Sequence, residues 1–135
     1  MKTALSLVLV AITLFGCRDT VTDNYATLAA ARADRLFERG WLPDVLPPSA
    51  HSIITSNDVD LNISTGRFSL APAESPELYK RLSAGAPQDT KFADWPDTVS
   101  AYAARGYTLW SYRNERGTWT FFCTADGDRC EYFMS

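Results

Sequence analysis

Apolar and polar residues alternate most regularly in the last third of the chain. Residues 107–113, 118–125 and 130–134 each show the period of two that marks a half-buried strand. Asn114-Glu115-Arg116-Gly117 and Asp126-Gly127 supply the turns between them. Centring a two-residue type I′ turn on Asp126-Gly127 sets Cys123 opposite Cys130. Across the other turn, Arg113 falls opposite Thr118, so that Tyr112 faces Trp119 and Trp110 faces Phe121; a shorter loop preserves this parity. Trp110, Tyr112, Trp119, Phe121, Cys123, Cys130, Tyr132 and Met134 therefore share one apolar face. This meander is the expected core.

Upstream the periodicity is helical. Tyr25, Leu28, Ala29, Leu36 and Phe37 form an apolar stripe opposite Arg32, Asp34, Arg35 and Glu38, which predicts a helix over 25–39. Thr22, Asp23 or Asn24 would cap it, and Gly40 would end it. Three prolines exclude regular structure from residues 41–50, so this segment is expected to cross the surface with Trp41, Leu42, Val45 and Leu46 inserted. A hairpin is predicted over 53–70: Val59, Leu61 and Ile63 alternate with Asp58, Asp60 and Asn62, and Ser64-Thr65-Gly66 turns the chain. Ser75-Pro76 and Trp95-Pro96 open two further helices, near 75–82 and 96–105. The expected fold is α+β, with an antiparallel sheet made of the C-terminal meander and the 53–70 hairpin, covered on one face by about three short helices.

The N-terminus changes the arithmetic. Lys2 precedes an apolar run from Ala4 to Phe15 that is too short to span a bilayer and has the form of an export signal. Leu14-Phe15-Gly16-Cys17 resembles the bacterial lipobox, departing from its usual pattern at Phe15. That resemblance implies removal of residues 1–16 and a lipid on Cys17. Arg18, in place of Asp, implies sorting to the outer membrane, with the protein facing the periplasm. Residues 17–24 would be the lipidated cysteine and its tether, and residues 25–135 a single head domain.

Of 135 residues, 13 are basic and 16 acidic; without the signal and its Lys2, 119 remain with a net charge of −4. The basic residues do not cluster, so nucleic acid is not an expected partner. The three cysteines divide between lipid on Cys17 and a disulfide between Cys123 and Cys130, which are opposed on neighbouring strands in an oxidising compartment.

Catalytic chemistry finds little support. His51 is the single histidine; Ser49, Ser52 and Asp58 would complete a triad only on paper, without a nucleophile-elbow motif. Asp58, Asp60 and Asn62 match the first three ligand positions of a calcium loop, but Ile63 and Ser69 stand where Gly and Glu are needed. The wet face of a strand explains them better, with a cation site as the alternative. Trp41 and Trp95 lie outside the meander and are the candidates for a binding surface, with packing as the competing reading. No cofactor and no enzymatic activity are expected.

Gly40-Trp41-Leu42-Pro43, Leu46-Pro47-Pro48-Ser49 and Ser56-Asn57-Asp58 are similar to small bacterial envelope proteins grouped around the YbbD head-like domain, over about residues 26–134. The resemblance implies no catalytic residues. The function expected is a lipid-anchored, non-enzymatic envelope module, held to the membrane through Cys17 and contacting an envelope protein or glycan. An inhibitor or immunity protein against an envelope-targeting enzyme or toxin is the alternative.

Overall fold

The computed structural model describes residues 19–135. The lipobox and Cys17 lie outside the described residues. Seven strands form one antiparallel sheet in the order β1-β2-β3-β7-β6-β5-β4. These are β1 Thr20–Thr27, β2 His51–Asp58, β3 Ile63–Ser69, β4 Ser83–Ala84, β5 Thr108–Asn114, β6 Gly117–Cys123 and β7 Arg129–Met134. The helices are α1 Leu28–Ala33, α2 Leu36–Arg39, α3 Ser75–Tyr79 and α4 Trp95–Ala104, with a 3-10 turn at Pro72–Glu74.

The C-terminal meander has the register that its alternation predicts. Tyr112 pairs with Trp119, Trp110 with Phe121 and Cys123 with Cys130. Trp119, Phe121, Cys123, Cys130, Tyr132 and Met134 are all buried on one face, with Trp110 and Tyr112 packed at its margin. Leu28, Ala31, Leu36, Leu78 and the strap residues Leu42, Val45 and Leu46 cover that face. The strap is held further by Trp119, whose indole N–H donates to the Trp41 carbonyl at 2.9 Å.

Four expectations need correction. Residues 20–27, read as tether and first helical turn, form strand β1, paired with β2 from Thr20↔Asp58 to Thr27↔His51. Thr20, Val21, Thr22 and Thr27 favour extended backbone, and the sheet edge satisfies it. The helix begins only at Leu28, where Thr27 Oγ1 accepts from the Ala30 amide at 3.1 Å. It breaks again at Arg35, which sits in the left-handed region at φ 57°.

The hairpin turn lies at 59–62, not at Ser64-Thr65-Gly66, which belong to β3. Asp58 Oδ1 accepts from the Leu61 amide at 3.0 Å, and Asn62 takes φ 51°. Side chain and backbone thus make a turn of what reads as a strand. Val59 and Leu61 consequently point outward.

The loop after β6 is not a two-residue type I′ turn. The Gly127 amide donates to the Thr124 carbonyl, and of Asp126 and Gly127 only the glycine has positive φ. Thr124 still bonds Arg129 across the strands, so the cysteine register is unchanged.

Finally, helices cover both faces of the sheet. α4 lies on the reverse side, where Tyr102 stacks on Phe122 at 4.1 Å and Trp95 meets Phe122 and Phe133 edge-on. Phe122 of β6 and Phe133 of β7 point to this side and meet edge-on at 5.6 Å, giving a second, smaller apolar layer.

β3 and β7 join the two halves of the sheet, and Gly66 makes their fit possible. A Cβ there would stand 2.1 Å from the Ile54 carbonyl oxygen and 2.6 Å from the Tyr132 ring. Gly66→Ala is expected to destabilise the protein by about 2–3 kcal/mol, measured by urea unfolding; an unchanged midpoint would show that the seam can give way.

Candidate functional site

The reverse face of the sheet is left open beside α4. There an open cleft of about 310 Å³ runs over β2, β3 and β7, with Tyr102 of α4 as one wall. Its floor and rim follow from strand alternation: Phe68, Tyr132 and Ile53 turn to the main core, so Ile54, Ser56, Thr65, Arg67, Glu131 and Phe133 face the cleft. Arg67 and Glu131 are direct cross-strand partners, yet no ion pair within 4 Å joins them.

Glu131 is the unusual member. Its Oε2 is buried with no hydrogen-bond partner within 3.5 Å, and the Tyr102 phenol beside it is the group that engages the carboxylate. Burial pushes the neighbouring Tyr102 phenol up to about 12, and the Glu131 carboxylate adds to the shift. The cleft thus brings together the Glu131 side chain, the Tyr102 phenol, the hydroxyls of Ser56 and Thr65, and the aromatic surfaces of Tyr102 and Phe133. This arrangement suits a ligand rich in hydrogen-bond donors. It holds no activated nucleophile with a paired base.

The residues singled out from sequence are dispersed. The Cys123 and Cys130 sulfurs are 2.08 Å apart and the α-carbons 4.1 Å; this bridge lies in the main core, away from the cleft. Trp95 is only 5% exposed, and its indole N–H donates to the Pro87 carbonyl at 2.8 Å; the competing packing reading describes its place here. Trp41 is half-buried, beside Arg39, Asn62 and Arg116.

Asp58, Asp60 and Asn62 serve the β2–β3 turn, and among the described residues no cluster of three or more His, Cys, Asp or Glu could hold a metal. His51 is exposed and bonds the Ser49 carbonyl at 2.9 Å. Asp58 stands at the far end of β2, about 23 Å away along a seven-residue rise. A triad is excluded by that distance.

Residues 19–69 match the YbbD head domain family. The match takes in the strings at 40–43, 46–49 and 56–58 and suggests an envelope-associated module. It covers β1 to the last residue of β3, less than half of the chain, and stops well short of residue 134. No curated protein and no solved structure matches the chain. The cleft draws Ile54, Ser56, Thr65 and Arg67 from the matched segment and Tyr102, Glu131 and Phe133 from beyond it.

Sequence reasoning missed Tyr102, Arg67 and Glu131. The available signal was the second alternation, Phe122 and Phe133 pointing away from the cysteine face, which marks a reverse side with work of its own.

The tyrosines make the fold sensitive to alkali. Tyr25 is raised to about 12 by burial and by its bond to Asp34, and burial raises Tyr132 further. A phenol raised above its unfolded value of about 10 stabilises the fold fully below that pH. The contribution is lost as pH rises through the folded value. The urea midpoint is expected to fall between about pH 10 and about pH 12, less steeply in Tyr102→Phe; equal slopes would mean that Tyr102 titrates normally.

Proposed function

We propose that the protein is a lipid-anchored, non-enzymatic module on the periplasmic side of the outer membrane that binds a glycan of the cell envelope. The lipobox-like Leu14-Phe15-Gly16-Cys17 and the YbbD head match support the location. The observation that supports the binding reading is the open cleft itself, where the aromatic faces of Tyr102 and Phe133 lie beside Ser56, Thr65 and the Glu131 carboxylate. Sugar hydroxyls supply hydrogen-bond donors, and the apolar faces of sugar rings pack against side chains such as Tyr102 and Phe133.

Two experiments test the two parts of this reading. Cys17→Ser should move the protein from the membrane to the soluble fraction; a variant that still sediments with membranes removes the anchor. For the cleft, the lipidated protein in detergent should co-sediment with purified peptidoglycan sacculi. Glu131→Gln should weaken that binding roughly tenfold, the scale of one hydrogen bond to a charged group. Equal sedimentation of the two proteins would separate the cleft from glycan binding.

A further inference from the structure

Among the described residues, three large apolar side chains stand exposed: Val21 at 47%, Val59 at 55% and Leu61 at 48%. Isolated exposed residues of this kind need no explanation, but these three share one end of the sheet. Val21 pairs with Asn57, two residues before Val59, and Leu61 is in the same turn. Half-buried Trp41 flanks this end, lining a hollow with Asn62 and Arg116.

Basic groups gather nearby. Arg116 lies in the β5–β6 turn at the same end, and the Lys91 ammonium donates to the Leu61 carbonyl at 3.1 Å. Asp58 and Asp60 in the turn, Glu115 beside Arg116 and Asp19 ahead of β1 are the acidic neighbours; Asp58 is engaged with the Leu61 amide. The opposite end of the sheet, with Asp126 and Asp128 in the β6–β7 loop, carries none of the three apolar residues.

Chain geometry says what covers this patch. Cys17 precedes Thr20, the first residue of β1, by three residues, a reach of about 10 Å. β1 begins at the end that carries Val21, Val59 and Leu61. A lipid on Cys17 would therefore hold this end, and not the Asp126 end, against the bilayer. Apolar side chains with a tryptophan and basic residues around them are the groups that partition into a lipid interface.

We propose that the β2–β3 turn is a membrane-docking tip, with Val59 and Leu61 inserted among phospholipid headgroups and the sheet standing on its β1-starting end. This rests on the lipid anchor at Cys17. The test places a nitroxide on Leu61→Cys, on Val59→Cys and, as the distant control, on Asp126→Cys. Cys17 is occupied by lipid and Cys123 and Cys130 by each other, so one free thiol is available in each variant. The full lipidated protein is reconstituted in phosphatidylethanolamine–phosphatidylglycerol vesicles, and collisions with oxygen and with a water-soluble nickel chelate are compared.

Labels at 59 and 61 should favour oxygen over nickel at least threefold more than the label at 126. If the protein sediments with the vesicles but all three labels are equally open to nickel, the docking tip is overturned while the anchor stands. If the protein does not sediment, the anchor fails and the docking inference with it.

Discussion

The pairing of β3 with β7 is the constraint on which the rest of the structure depends. It is the single seam between β1-β2-β3 and β7-β6-β5-β4, and its strands lie some 60 residues apart in sequence, so closing it costs chain entropy before any contact forms. The seam recovers that cost in an unusual place. Tyr132, fully buried, bonds Ser64 Oγ at 2.9 Å, and Ser64 in turn donates to Asn57 Oδ1 at 2.6 Å. Three strands are tied by a buried polar chain whose members satisfy one another, which favours one register over any slipped one. Gly66 lets the Tyr132 ring lie against the sheet between them.

Burial of both faces of β6 and β7 follows from this arrangement. The cysteine face packs against α1, α2, α3 and the proline strap, while Phe122 and Phe133 on the reverse face need cover of their own. α4 gives it through Trp95 and Tyr102. Because α4 reaches only this half of the sheet, β2 and β3 remain uncovered at its flank, and the cleft is the step between the covered and uncovered halves. Glu131 stands at that step, buried by α4 on one side and open to the cleft on the other.

Legibility in the sequence varied with the locality of the physics. The meander could be read to the residue because alternation and the opposed cysteines fix parity whatever the loop type; even the wrong turn at Asp126-Gly127 left Cys123 facing Cys130. The strap could be read because proline leaves few options at 43, 47 and 48. β1 was hidden because its strand character comes from pairing with β2, which outweighs the helical stripe that starts at Tyr25 in the sequence. At 59–62, an alternation that imitates a strand turned out to be a turn made by Asp58 and Asn62, and the apolar residues that suggested core are the most exposed ones. The cleft was out of reach for a further reason: Arg67, Tyr102 and Glu131 become neighbours only through the β3–β7 seam and the placement of α4.

The seam thus decides the core and the cleft. Native-state hydrogen exchange in the unmodified protein and in Ser64→Ala tests that most directly. The amides of β2 and β6 should lose protection together and by the same factor, since breaking the seam opens both halves. Loss confined to β2, with β6 protected as before, would show two independent halves and contradict the account.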